Sequence, residues 1–92
     1  MISTKEVKII RQIAGKYKAK RVYLFGSHIR KLRQKPKDID LAVEGVAPRR
    51  FFSFYAELYD RLPQPVDLID LKQNTLFSRL VVEEGFLIYG RS

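Results

Sequence analysis

Three aspartates and a glycine–serine pair are the residues of this sequence whose types and spacing could do chemistry. Asp38 and Asp40 stand two residues apart in a segment rich in strand-forming residues. Because successive side chains of a strand alternate between its faces, both carboxylates should point to one side. Adjacent carboxylates repel unless a cation lies between them, and hard oxygen ligands combined with phosphates suit Mg²⁺. The pair therefore predicts a divalent-metal site.

A third carboxylate comes from a later segment, residues 66–70, which is predicted to be a strand. Val66 and Leu68 share the parity expected for the core, so Asp67 should point to the face that carries Asp38 and Asp40. Asp70 lies an odd number of residues from Asp67 and should face away or cap the following turn. Asp67 is therefore the predicted third acid of the site.

A feature suited to phosphate lies upstream, where Gly26 and Ser27 follow a predicted strand at residues 20–25. Glycine lets the backbone approach a ligand closely, and the start of the next helix offers free N–H groups. Ser27 can cap a short helix that continues to about residue 32, and Arg30 should lie one turn further on the same side. The stretch predicts a phosphate-binding turn next to the metal site.

The remaining elements are predicted from caps, breakers and periodicity. Ser3 and Glu6 have the spacing of a capping box that opens a first helix, and Pro48 suits the first position of a helix reaching about residue 62. Asn74 can cap a helix that ends before Gly85, and a last strand follows at residues 86–89. In the second long helix, one apolar stripe is expected to be core: Phe51, Phe52, Tyr55, Leu58 and Tyr59.

The alternation of helices and strands predicts an α/β layer architecture. The segment between the first two strands holds only a short helix and a loop, so those strands can pair antiparallel within a mixed sheet. The odd positions of the second strand should face a helical layer, and its even positions should face the open side. At 92 residues the chain is expected to be one domain, residues 1–92.

Composition narrows the class of partner and compartment. The chain lacks cysteine, its first residues contain no apolar leader, and no membrane-spanning run is present, so we expect a cytoplasmic protein without a membrane partner. The net charge of +8 favours a polyanionic partner such as an NTP, a nucleic acid or an acidic protein, although charge also serves solubility.

Taken together, Gly26-Ser27-x-x-Arg30, Asp38-x-Asp40 and Val66-Asp67-Leu68 resemble the motifs of the minimal nucleotidyltransferases (MNT type) of the DNA polymerase β superfamily. The resemblance implies an α/β (α+β) palm, a small mixed sheet with helices on one face and the active site on the other. It implies a two-ion Mg²⁺ site held by Asp38, Asp40 and Asp67, with Asp67 also orienting the acceptor hydroxyl. Nucleotide phosphates would be bound by Gly26 and Ser27, and Arg30 would brace the turn or pair with a phosphate or a site carboxylate.

The sequence departs from this pattern at two places. Family members usually have a small residue followed by Arg-Gly, where this chain has Ile29, Arg30 and Lys31, and they favour Ser or Thr where Lys37 precedes the acid pair. Loss of that glycine and hydroxyl would alter how the loop closes on a triphosphate, and Lys31 and Lys37 could compensate through their charge.

The expected function is Mg²⁺-dependent transfer of AMP from ATP to a hydroxyl of another macromolecule. The resemblance implies a HEPN-domain toxin as the partner, with this chain acting as an antitoxin that adenylylates a toxin tyrosine. Two alternatives remain open: a non-catalytic, nucleotide-binding antitoxin subunit, and a basic nucleic-acid-binding module. The second is ranked last because the sequence shows no RNA-binding aromatic motif or recognition helix.

Overall fold

The computed structural model describes residues 3–25, 38–72 and 76–91. The predicted short helix at 27–32, the basic loop at 33–37 and the Asn74 cap lie outside these ranges. The described elements, in chain order, are α1 (Thr4–Lys16), β1 (Arg21–Leu24), β2 (Ile39–Glu44), α2 (Pro48–Arg61), β3 (Val66–Asp70), α3 (Leu76–Glu84) and β4 (Phe86–Tyr89).

The four strands form one mixed sheet in the order β3-β2-β1-β4. β1 is antiparallel to both β2 and β4, whereas β2 and β3 are parallel. The parallel pair requires a long crossover, and α2 lies in the connection between these strands. The predicted mixed α/β sheet is confirmed.

One face of the sheet is covered by α1 and α2. α1 opens with the predicted capping box, in which the Ser3 hydroxyl accepts from the Glu6 N–H and the Glu6 carboxylate accepts from the Ser3 N–H. Apolar residues at helical spacing on α1 pack against the odd positions of β2. The core on this side includes Ile10, Ile13, Ala14, Val22, Leu24, Ile39, Leu41, Val43, Phe54, Leu58 and Val66.

The expected core stripe of α2 is wrong in part. Pro48 begins the helix as predicted, and Leu58 is fully buried. Phe52, however, is 77% exposed and Tyr59 is 49% exposed, while Phe54, which was not in the predicted stripe, is fully buried and contacts the Tyr17 ring edge-on. The aromatic residues of this helix cover nearly half of its circumference, which is wider than the buried strip, so its orientation against α1 decides which of them are core.

The opposite face carries a smaller apolar cluster. Tyr23, Phe25, Ala42 and Leu71 are buried together with Val81 of α3. Thus α1 and α2 lie on one face as predicted, whereas α3 contributes to the face shared by the even positions of β2. No helix in the three described ranges has the length and apolarity needed to cross a bilayer.

Candidate active site

Asp40 and Asp67 are direct register partners on the parallel strands β2 and β3. Neighbouring strands run about 4.8 Å apart, and partners in register point their side chains to the same face. Val66 and Leu68 pack toward the core on the other side, as their parity predicts. The strand pairing therefore places two carboxylates side by side on the face opposite α1 and α2.

Asp38 lies just before β2, two residues from Asp40, and is exposed. The strand after it is held in place because the Ile39 N–H donates to the Pro65 carbonyl, with an N–O distance of 2.8 Å. Asp67 is also exposed, whereas Asp40 is half-buried. The three acids thus share one rim of the sheet, with Asp40 in the innermost position.

The electrostatic interaction among the three acids affects the pKa of Asp40. Partial burial, followed by the negative charges of Asp67 and Asp38, raises the pKa of Asp40 above its usual value of 3.8. Burial disfavours the ionised form, and a like charge nearby disfavours it further. The negative charges of Asp67 and Asp38 therefore act on Asp40. A cation bound among the three carboxylates would reduce this repulsion.

The donor chemistry fits Mg²⁺, but the arrangement is not a complete metal cage. Within residues 3–25, 38–72 and 76–91, no three His, Cys, Asp or Glu side chains form a ready-made metal-binding group. Mg²⁺ is commonly bound by one or two carboxylates with water and substrate phosphates completing its shell. Asp40 and Asp67 provide such a pair, and Asp38 provides a further carboxylate on the same face.

Asp70 is placed as the sequence predicts, away from this group. Its Oδ1 accepts a hydrogen bond from the Lys72 N–H at 2.9 Å, which caps the turn after β3. Gly26, Ser27 and Arg30, the predicted phosphate-binding residues, lie outside the described residues. The last described residue before them is Phe25, whose N–H donates to the Asp40 carbonyl at an N–O distance of 3.0 Å.

α3 covers part of the acid-bearing face of the sheet, a feature that was not predicted from the sequence. Phe77 of α3 contacts the Phe25 ring edge-on, with the ring centroids 5.6 Å apart. Val81, one turn later, is buried against the cluster on that face. The alternation of side chains in β1 could have indicated it. Tyr23 and Phe25 are apolar and point to the face that was predicted to be open, so another element must bury them.

The chain has a mixed four-stranded sheet backed by two helices, with paired carboxylates on the other face. This is the architecture of a polymerase-β-like nucleotidyltransferase. Residues 8–92 match the sequence family described as "Polymerase beta, Nucleotidyltransferase". The match extends over most of the chain, and the protein belongs to this family.

Among solved structures, the chain is similar to chains of toxin–antitoxin complexes. It is similar to a chain of a toxin–antitoxin complex crystallised with AMP-PNP (26% identity, TM-score 0.74, covering 94% of this chain and 74% of that one). It is also similar to a chain in a complex of a tri-AMPylated Shewanella oneidensis HEPN toxin with an MNT antitoxin (25% identity, TM-score 0.73, 98% and 74%). A chain of the MntA-HepT toxin–antitoxin complex shares the fold (24% identity, TM-score 0.73, 97% and 74%). Comparison with curated proteins found no significant match.

Proposed function

We propose that this chain is a Mg²⁺-dependent nucleotidyltransferase that transfers AMP from ATP to a hydroxyl of a partner protein. The observation that carries the proposal is the register pairing of Asp40 with Asp67, with Asp38 two residues before Asp40 on the same face. Family membership supports the reaction type, and a similar chain was crystallised in a complex with AMP-PNP, an ATP analogue.

Each carboxylate has a distinct task in this proposal. Asp38 and Asp40 bind the metal together, while Asp67 binds it from the neighbouring strand and orients the acceptor hydroxyl. When bound, Mg²⁺ activates the attacking hydroxyl and neutralises the leaving pyrophosphate. Gly26, Ser27 and Arg30 hold the phosphates of ATP. The hydroxyl oxygen forms a bond to the α-phosphorus and loses its proton to solvent, while the bond from the α-phosphorus to the bridging oxygen breaks and pyrophosphate leaves with that oxygen.

The proposed acceptor is a tyrosine of a HEPN-domain toxin, which makes this chain the antitoxin of a toxin–antitoxin pair in the cytoplasm. The similar MNT antitoxin chain is found in complex with a tri-AMPylated HEPN toxin. We propose that residues 1–92 act as one domain and that the toxin itself contributes the acceptor's binding surface. Phosphoryl transfer depends mainly on positioning and charge neutralisation, so a small palm and a docked acceptor suffice.

The test is transfer of label from ATP to a HEPN-domain toxin, with Mg²⁺ and the purified full chain. Asp38→Asn and Asp67→Asn should each lower the rate by about 100-fold or more, because each removes a charge that supports the transition state. Asp70→Asn is the matched control on the same strand: its amide oxygen still accepts from Lys72, and the rate should stay within about threefold of the original. Equal losses in Asp67→Asn and Asp70→Asn would contradict the assigned site.

A second candidate, an antitoxin that binds without turnover, is favoured by one observation. A similar chain was crystallised in a toxin–antitoxin complex with AMP-PNP, an assembly that binding alone would explain. This candidate expects tight binding of ATP and toxin with no label transferred, and toxin neutralisation that survives Asp67→Asn. Neutralisation lost in Asp67→Asn but retained in Asp70→Asn would exclude it.

A further inference from the structure

A basic cleft of about 530 Å³ lies far from the carboxylates, between the end of α1 and the end of β4. We call this site the basic cleft; it is lined by Arg11, Ala19, Lys20, Arg21, Tyr89, Gly90 and Arg91. Four of these seven residues are cationic. The proposed nucleotidyl transfer makes no use of any of them.

The cleft and the acid site occupy opposite ends of β1. Arg21 pairs with Glu44 at one end of the antiparallel ladder, whereas Phe25 bonds to Asp40 at the other. Four residues of strand separate these ends by about 13 Å. A ligand in the basic cleft therefore binds apart from ATP held at the carboxylates.

Two of the four cations are held in place by backbone carbonyls. Arg11 Nη1 donates to the Ile88 carbonyl at 2.8 Å, and its guanidinium lies 5.7 Å from the centroid of the Tyr89 ring. Arg21 Nε donates to the Arg91 carbonyl, and its Nη1 pairs with Glu44. A guanidinium has five N–H donors, so both side chains retain donors for an anion after these contacts are made.

The floor of the cleft depends on a close approach of two backbone segments. Gly90 has φ +95°, and a Cβ at this position would lie 2.1 Å from the Lys20 carbonyl oxygen. Because only glycine permits this approach, the chain after β4 lies directly against Lys20 and Arg21. The main-chain positions of Lys20, Arg21 and Arg91 relative to one another therefore follow from this contact.

The charge balance favours an anion with several negative groups. Glu44 offsets one of the four cations: it pairs with Arg21, and its Oε2 is 3.9 Å from the Lys20 ammonium, whose side chain remains 63% exposed. The cleft keeps an excess of three positive charges. The Arg11 guanidinium lies over one face of the Tyr89 ring, 5.7 Å from its centroid, so that face is not open to a base, and the Tyr89 hydroxyl lies 3.4 Å from where a Gly15 Cβ would stand.

We propose that the basic cleft binds consecutive phosphate groups of a single-stranded nucleic acid, without reading its bases. Phosphates match the planar donors of Arg11 and Arg21, and Lys20 and Arg91 extend the positive surface to neighbouring phosphates. The volume exceeds that needed for a single small anion. A phosphate strand is favoured over a compact ion because a cleft of about 530 Å³ with an excess of three positive charges can hold more than one phosphate group.

The test uses the full chain and a fluorescein-labelled oligouridylate of about twelve nucleotides, followed by anisotropy at several salt concentrations. The double variant Lys20→Glu, Arg91→Glu should weaken binding by about tenfold or more. Its plot of log K against log salt should be less steep by about 1.4, which corresponds to two lost phosphate contacts. Lys20→Gln with Arg91→Gln should give a smaller loss in the same direction. Circular dichroism on each variant confirms that it is folded.

The matched control is Lys5→Glu with Arg49→Glu, two exposed positions on the first turns of α1 and α2. Each reversal changes the charge by two, so both double variants take the net charge from +8 to +4. The control should weaken binding by less than about threefold. Equal weakening in both double variants would overturn the proposal, because it would show that overall charge alone attracts the strand.

Two competitor arms identify the source of the phosphates. Displacement of the labelled strand by millimolar ATP without Mg²⁺, lost in the Lys20→Glu, Arg91→Glu variant, would support phosphate binding in the cleft with a free nucleotide as a second source. A polyglutamate peptide that binds the cleft while oligouridylate does not would overturn the proposal and assign the surface to an acidic protein. None of these results depends on label transfer, so failure of the proposed enzymatic function would leave this test intact.

Discussion

The backbone N–H of Phe25 donates a hydrogen bond to the carbonyl of Asp40, with an N–O distance of 3.0 Å. This contact extends the β1–β2 ladder by one residue beyond the end of β1 and attaches the entry to the Gly26-Ser27 pair to the strand that carries Asp40. Asp40 is in turn the register partner of Asp67. One line of backbone pairing therefore connects the approach to the proposed phosphate-binding turn with two proposed metal ligands, and their relative positions follow from the sheet.

Repulsion among the three acids should make the ionised carboxylate of Asp40 lower the stability of the folded protein. The pKa of Asp40 is raised in the folded state, so protonated Asp40 favours folding. This stabilisation is fully present at low pH and is lost as pH rises through the folded-state pKa. At neutral pH without divalent cations, Asp40→Asn should therefore raise the melting temperature, by roughly 2–5 °C in a domain of this size. Thermal melts with and without Mg²⁺ measure this.

The same melts carry the control for Asp40. Mg²⁺ should stabilise the original protein more than Asp40→Asn, because the ion binds the carboxylate that the variant lacks. Asp60→Asn, at an exposed position of α2, should change neither the melting temperature nor its response to Mg²⁺. A lower melting temperature for Asp40→Asn without Mg²⁺ would show that the carboxylate is stabilised by contacts other than those described.

Glu57 should have the opposite pH dependence. The hydrogen bond from Lys16 lowers the pKa of Glu57, with further contributions from Tyr17 and the charge of Arg61. A lowered carboxyl pKa stabilises the fold above the unfolded-state value, near 4.5, and this stabilisation is lost as pH falls through the folded-state pKa. Glu57→Gln should therefore melt below the original protein at neutral pH, and the difference should shrink toward pH 3.

The comparison for Glu57 is Glu84→Gln, at an exposed position near the end of α3. Its melting temperature should follow that of the original protein across the same pH series. A difference for Glu57→Gln that stays constant down to pH 3 would mean that the glutamine disturbs packing between α1 and α2 rather than removing a charge interaction.

The two neighbouring aromatics of α2 should differ sharply in their contribution to stability. Phe54 is fully buried, and its truncation to alanine should cost about 3–5 kcal/mol through lost burial and a residual cavity. Phe52→Ala removes the same atoms from a side chain that is 77% exposed, and it should change stability by less than about 0.5 kcal/mol. Urea unfolding of both variants measures the difference. Similar midpoints for the two would place the helix in a different orientation.

The tight contact at Gly90 should make that position intolerant of any side chain. Gly90→Ala forces a Cβ to within 2.1 Å of the Lys20 carbonyl at a left-handed φ, and it should cost about 1–3 kcal/mol. Gly15→Ala, within α1, is the matched control. Its Cβ would meet only the hydroxyl of Tyr89 in β4, at an ordinary contact distance of 3.4 Å. The control should be neutral or stabilising by up to about 1 kcal/mol, because alanine is the better helix former. Loss of stability in Gly15→Ala alone would contradict both assignments.

The sequence by itself determined the local features and the side of the sheet on which each acid lies. The capping box at Ser3, the helix start at Pro48 and the turn cap by Asp70 depend on residues only a few positions apart. The parity of Asp40 and Asp67 was likewise predictable, because strand side chains alternate regardless of their neighbours. These features need no knowledge of which elements pack together.

Only the tertiary structure decided the register and the orientation of the helices. The pairing of Asp40 with Asp67, rather than with another residue of β3, depends on how α2 returns the chain to that strand. Phe54, rather than Phe52, is core because α2 packs with that side toward α1 and the sheet. α3 lies on the acid-bearing face because Tyr23, Phe25 and Ala42 leave an apolar surface there to be buried. Such choices depend on contacts between residues distant in sequence, and local periodicity alone does not determine them.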